Sequence, residues 1–119
     1  MKTDLVSNLV SIGIPDRRHH ARYRFSIPIT VYLSGRGPIH GMSLEISESG
    51  MSVMISDELV VGAAVELEPV AGGKVSAHVR RHTGKVYGFE FFNLDPARVQ
   101  WIVETCKMRP QYSSKTLDI

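Results

Sequence analysis

Alternation of hydrophobic and polar residues is the main pattern in the middle of the chain. Between residues 24 and 33 every second side chain is apolar, which predicts a half-buried β-strand. Pro28 lacks a backbone donor and therefore predicts that this strand is bulged or lies at an edge. Similar short segments, separated by turn residues, predict five more strands at about 39–46, 51–55, 64–69, 74–82 and 86–92.

The spacing of apolar residues changes after the last strand. Asp95 is a favourable helix N-cap, and Pro96 suits the first helical position. A helix beginning there and ending before Pro110 would carry one apolar stripe, formed by Val99, Ile102, Val103 and Cys106. Six short antiparallel strands followed by one helix predict an all-β fold, a small barrel or curled sheet with the helix over one opening.

The length of 119 residues predicts one folded domain with a modest core. We expect a lead-in segment at 1–16, the domain at 17–108 and a polar tail at 109–119. The single cysteine excludes an internal disulfide, and no apolar run is long enough to insert into a membrane. These features predict a cytoplasmic protein.

The net charge of +2 is too small to favour binding of a nucleic-acid polymer. The positive charge is nevertheless uneven, because Arg17, Arg18, Arg22 and Arg24 form one cluster and Arg80 and Arg81 another. A small barrel that binds single-stranded nucleic acid through arginines and aromatic rings is an alternative, and such binding would depend strongly on salt.

Two short motifs could supply binding chemistry. Arg18 and Arg22 form an RxxxR motif, and a guanidinium can bind phosphate with two hydrogen bonds or stack on a flat ring. Glu45 and Ser47 are two residues apart, so on an extended backbone their side chains point the same way. Gly50 allows a sharp turn or the close approach of a ligand. Each motif alone also fits an ordinary basic loop or β-turn.

Together the two motifs are more specific. RxxxR followed some twenty residues later by (Asp/Asn)-x-Ser-x-x-Gly is the paired signature of the PilZ domain. The sequence resembles that family over about residues 17–107, through Arg18-x-x-x-Arg22 and Glu45-x-Ser47-x-x-Gly50. The resemblance implies a six-stranded antiparallel barrel with a C-terminal helix, in agreement with the alternation pattern.

The resemblance also implies a receptor for cyclic di-GMP, a ligand with two phosphates and two guanines. Arg18 and Arg22 would contact phosphates and guanine edges, and Ser47 would bind phosphate or base. Glu45 stands where the family has Asp or Asn, so the acceptor for guanine is longer by one methylene. The implied binding set is Arg17, Arg18, Arg22, Glu45, Ser47 and Gly50, with Arg17 at a position that accompanies a self-stacked ligand dimer.

Two functions therefore remain open. In the first, an arm at 14–23 closes over cyclic di-GMP and alters the interaction with a partner protein. In the second, the domain is a ligand-independent PilZ-like adaptor, for example in motility or pilus machinery. Neither function needs a catalytic residue, a metal or a cofactor, since no nucleophile or metal-ligand motif stands out in the sequence. A homodimer is compatible with both.

Overall fold

The structure is a computed structural model that describes residues 21–70 and 73–108. The lead-in segment, most of the arginine arm, the turn residues Ala71 and Gly72 and the polar tail lie outside these ranges. The elements are β1 (Tyr23–Arg24), β2 (Pro28–Tyr32), β3 (Ile39–Ile46), β4 (Gly50–Ile55), β5 (Ala64–Pro69), β6 (Val75–Thr83), β7 (Val86–Phe91) and α1 (Pro96–Lys107). The all-β prediction with one C-terminal helix is confirmed.

The strands form a closed antiparallel barrel. Their order is β1-β3-β2-β5-β6-β7-β4, and an additional pairing between β3 and β4 closes the sheet. Strands β1 and β2 both pair with the same side of β3, and β4 pairs with its other side. Because β1 and β2 share one strand position, the barrel has six strand positions. The interior is filled by the alternating apolar side chains predicted from the sequence, including those of Val53, Leu67, Val79 and Phe89.

The strand predicted at 24–33 is broken into β1 and β2, because the chain leaves the ladder between them. Of the two alternatives predicted from Pro28, the edge position is wrong, because β2 pairs with both β3 and β5. The fully buried side chain of Ser43 fills this gap: its hydroxyl donates to the Phe25 carbonyl and accepts a 2.9 Å hydrogen bond from the Ile27 amide. The Ser43 amide in turn donates to the Ile27 carbonyl at 2.9 Å. The hydroxyl thus satisfies backbone groups that a regular strand would have paired.

Strand β3 contains a bulge at Leu44. Ser43 lies opposite Val53 of β4, but Glu45 lies opposite the preceding residue, Ser52, so Leu44 is an extra residue. An extra residue reverses the alternation of the side chains that follow it. Ser43 before the bulge and Ile46 after it are therefore both buried, and Glu45 lies on the outer face.

Strand β6 contains a second bulge, at Arg80. Val79 lies opposite Phe89 of β7, whereas Arg81 lies opposite Gly88. In a regular strand, Arg81 would be the next residue after Val75, Ala77 and Val79 to point into the barrel. The bulge instead places Arg81 outside the barrel, where an arginine avoids the free-energy penalty of burying an unpaired charge.

Strands β4 and β7 approach closely at Gly50. A Cβ atom on Gly50 would lie 2.1 Å from the Phe89 carbonyl oxygen, far inside van der Waals contact. Just before this point, the Phe91 amide donates to the Ser49 carbonyl at 2.9 Å. The packing of the two strands therefore requires glycine here, whether or not a ligand binds nearby.

Helix α1 begins as predicted and packs through a narrower stripe. Asp95 caps it, with Oδ1 accepting a 2.8 Å hydrogen bond from the Arg98 amide. Ile102 and Cys106 are buried, but Val99 is 43% exposed, so its predicted place in the stripe is wrong. Burial, together with the charge of Glu48, raises the pKa of the Cys106 thiol to about 11. Cys106 is therefore a protonated packing residue at neutral pH.

Replacing Ser43 by Ala should destabilise the barrel by about 1–3 kcal/mol, because the Ile27 amide and the Phe25 carbonyl would lose their buried partner. Ser52→Ala is the matched control. The Ser52 hydroxyl is also buried but has no hydrogen-bond partner in the part of the chain that the structure describes, so its removal should leave stability unchanged or slightly higher. Urea unfolding of both variants measures the difference, and equal losses would contradict it.

Replacing Gly50 by Ala should also destabilise the fold, by about 1–3 kcal/mol, because strands β4 and β7 must separate to admit the methyl group. Gly37→Ala is the control, since a Cβ atom there meets nothing within 4 Å. Thermal unfolding of the two variants tests this expectation. A Gly50→Ala variant as stable as the parent would show that the strands can shift at no cost.

Candidate ligand-binding cleft

An open cleft of about 610 Å³ runs along the outer face of β3, β4, β7 and β6. Its volume lies within the range of about 300–1,000 Å³ that small-molecule sites occupy. The charged residues that line it are Arg22, Glu45, Arg80, Arg81 and Glu90, and smaller polar or glycine residues on its surface are Ser47, Ser49, Gly50, Ser52 and Gly88. Three arginines and three serines suit an anionic ligand with several hydrogen-bonding groups.

Arg22 and Glu45 meet at one wall of the cleft. Arg22 Nη1 lies 3.4 Å from Glu45 Oε1, which is an ion pair and a weak hydrogen bond. The side chains of Arg22 and Glu45 are 30% and 16% exposed, so both remain partly accessible from the cleft. The pairing between β1 and β3 sets their proximity, because Tyr23 and Arg24 lie opposite Ile46 and Glu45.

Ser47 follows β3 and begins the turn into β4. Its amide donates to the Gly50 carbonyl at 2.8 Å, and its hydroxyl accepts from the Ser49 amide at 3.2 Å. These bonds fix the side chain beside Glu45 on the same wall, as the spacing of the two residues predicts. Gly50 also lines the cleft. Its close contact with Phe89 is a packing role, and its role toward a ligand stays a prediction.

The structure brings together four of the six residues predicted from the motifs, Arg22, Glu45, Ser47 and Gly50. Arg17 and Arg18 lie outside the described residues. The sequence reasoning did not assign the second arginine cluster, Arg80 and Arg81, to this site. A signal was present, because a regular continuation of β6 would point Arg81 into the core, so a bulge or a strand end is required there.

The bulges align the cleft residues across four strands. Glu45 lies opposite Ser52, Ser52 opposite Gly88, and Gly88 opposite Arg81. This cross-strand row places a carboxylate at one end, a guanidinium at the other and two small residues between them. Neither Ser52 nor Gly88 has a long side chain that would block the middle of the cleft.

Other kinds of site find little support in the described ranges. No group of three His, Cys, Asp or Glu side chains there could hold a metal ion. The rings of His78 and His82 instead stack on Phe92 and Tyr87, with centroids 4.0 and 4.2 Å apart. In those same ranges, no helix has the length and apolar character needed to cross a bilayer.

Comparisons with known proteins agree with this geometry. A family model described as the PilZ domain matches residues 16–107. No curated protein matches the sequence. Two solved PilZ domains share the fold: that of CeSA from a cellulose-synthesising bacterium has a TM-score of 0.60 at 17% identity and covers 72% of this chain and 94% of its own. The PilZ domain of Escherichia coli YcgR with c-di-GMP has a TM-score of 0.63 at 17% identity, and the match covers 77% of this chain and 90% of that one.

A third structure is a motility protein. The Bacillus subtilis inhibitor of motility MotI/DgrA has a TM-score of 0.63 at 18% identity, and the match covers 87% of this chain but 53% of that protein. At such identities the solved structures establish the fold, and the family model adds the sequence pattern over most of the chain. The closed six-stranded barrel, the C-terminal helix and the match over residues 16–107 show that this chain belongs to the PilZ domain family.

Proposed function

We propose that this chain binds cyclic di-GMP in the cleft and that binding alters its interaction with a partner protein. One observation carries the proposal: Arg22, from one motif, lines the same cleft as Glu45 and Ser47, from the other motif. The YcgR domain that shares the fold is a complex with c-di-GMP. As a receptor the chain needs no catalytic group, and we expect it to act in the cytoplasm.

The chemistry of the cleft matches the ligand. Cyclic di-GMP carries two phosphates, which attract guanidinium groups, and two guanines, whose O6 and N7 atoms accept two hydrogen bonds from an arginine. The guanine N1–H and amino groups are donors that the Glu45 carboxylate can accept. The Ser47 hydroxyl can donate to phosphate or base, and it lies on the same wall as Glu45.

Arg17 and Arg18 complete the proposed site. Arg18 is four residues from Arg22, so the chain can place their Cα atoms at most about 14 Å apart. It can therefore contact the same ligand as Arg22. In our proposal the segment 14–23 closes over the dinucleotide, and the changed surface transmits binding to the partner. Arg17 would contact a second, stacked ligand molecule.

A ligand-independent adaptor is the second candidate. The ion pair between Arg22 and Glu45 favours it, because these two proposed ligand-binding groups already have each other as partners. The likeness to the inhibitor of motility also fits an adaptor that acts through protein contacts. A ligand would have to exchange this internal pair for its own contacts.

Calorimetric titration of cyclic di-GMP into the full chain tests the receptor proposal. We expect binding by the parent and a loss of about ten- to a hundredfold in Arg18→Ala and in Arg22→Ala, because a hydrogen bond to a charged group contributes about 1.5–3 kcal/mol. A stoichiometry near two ligands per chain would support the role of Arg17.

Arg36→Ala is the control for this titration. Arg36 pairs with Asp57 at 3.3 Å on an exposed turn and does not line the cleft, so its removal changes the net charge equally and should preserve affinity. The absence of heat and of a thermal shift with the parent at high ligand concentration would reject the receptor proposal and favour the adaptor.

Replacing Glu45 by Asp should tighten binding by about two- to fivefold. The shorter side chain places the carboxylate farther from Arg22 and weakens their ion pair. A partly exposed ion pair contributes up to about 1 kcal/mol, and the ligand would no longer have to compensate for its loss. Glu45→Gln should bind more weakly than the parent, because it keeps the length but loses the charged acceptor. Weaker binding by Glu45→Asp would show that the longer side chain is needed to reach the guanine.

A further inference from the structure

The charges that line the cleft do not balance. Arg80 Nε lies 2.6 Å from Glu90 Oε1, and Arg22 is paired with Glu45. These two pairs use both of the glutamates that line the cleft. Arg81 is left over, because within residues 21–70 and 73–108 no carboxylate or carbonyl oxygen accepts a hydrogen bond from its guanidinium. Its positive charge is therefore available to an anion in the cleft.

The Arg81 side chain extends over the neighbouring strand β7. Its stem lies over Gly88, since a Cβ atom on Gly88 would be 3.0 Å from Arg81 Cγ and 3.1 Å from Nε. The bulge at Arg80 places the side chain on the outer face, and the missing side chain at Gly88 leaves room for the stem.

Arg81 also lies on the wall opposite the motif residues. Three strand spacings of about 4.8 Å separate the backbone of Glu45 from that of Arg81, which gives roughly 14 Å. Between them lie Ser52, which has a small side chain, and Gly88, over which the Arg81 stem lies. A ligand that extends from Glu45 across the cleft therefore meets the Arg81 guanidinium at the other end.

We propose that Arg81 is a ligand-binding residue of this cleft, which makes a charge-assisted hydrogen bond to a phosphate of the bound dinucleotide from the wall opposite Arg22. This inference rests on the proposed function. The ligand would then be held between two guanidinium groups on different strands. Neither RxxxR nor the Glu45–Gly50 motif contains the second of them.

The test is the affinity of the full chain for cyclic di-GMP in Arg81→Ala and Arg81→Lys. We expect Arg81→Ala to bind about ten- to a hundredfold more weakly, and Arg81→Lys to recover part of the loss because an ammonium still binds phosphate as a point charge. Since the exposed Arg81 guanidinium has no hydrogen-bond partner among the described residues, the thermal midpoint of both variants without ligand should stay at the parent value.

Two further variants separate a direct contact from a change of net charge. Arg36→Ala removes the same charge outside the cleft, where Arg36 pairs with Asp57, and should bind like the parent. Gly88→Ala displaces the Arg81 stem, so it should weaken binding in the parent and have little further effect in the Arg81→Ala background.

The outcomes distinguish this inference from the proposed function. If the parent does not bind, the receptor proposal fails and this inference fails with it. If the parent binds, Arg22→Ala loses affinity and Arg81→Ala does not, the receptor proposal stands and the role of Arg81 is overturned. Equal losses in Arg81→Ala and in Arg36→Ala would also overturn it, because they would indicate an effect of net charge and not a contact made by Arg81.

Discussion

The strict alternation of side chains along a β-strand is the constraint on which this cleft depends. Within a paired strand, a β-bulge adds one residue and so shifts the following side chains from one face to the other. The barrel has such a bulge at Leu44 in β3 and another at Arg80 in β6. Each bulge changes the face of the residues that follow, so that Glu45 and Arg81 reach the outer surface at two ends of one cross-strand row. The buried Ser43 hydroxyl supports the first bulge, because it satisfies the backbone next to it where β1 and β2 separate.

The regular parts of the fold could be predicted from the sequence, since one local pattern determines them. Val65 and Leu67 in β5, for example, alternate with polar residues and are buried as predicted. Pro28 predicted an irregular or edge strand, but the position of the break at 25–27 was not predicted. The apolar series continues through it, and only the distant Ser43 makes the break favourable. Val99 was misassigned for a similar reason: its helical spacing is correct, but the stripe that contacts the barrel is narrower than the apolar face.

The site was predictable only where its residues belong to a recognisable motif. Glu45 and Ser47 were identified because they stand two residues apart, at the end of β3 and just after it, and resemble a known signature. Arg81 has no such signature, and its place in the cleft follows from the register of β6 against β7, which sequence reasoning did not resolve. The alternation of side chains still gives a partial signal. An arginine at a position that should point into the barrel indicates that a bulge or a strand end precedes it, since an unpaired charge inside the barrel would be strongly unfavourable.

The internal ion pairs determine how the cleft would select an anionic ligand. Arg22 and Arg80 each have a carboxylate partner, so a ligand gains only the difference between its own contacts and those it replaces. Arg81 requires no such exchange, and its charge can attract an anion before any pair opens. In the proposed receptor, the Arg22–Glu45 pair would open only for a ligand that satisfies both groups, with an acceptor for the guanidinium and donors for the carboxylate. A phosphate alone satisfies the first group, whereas a guanine nucleotide offers its phosphate to Arg22 and its N1–H and amino group to Glu45.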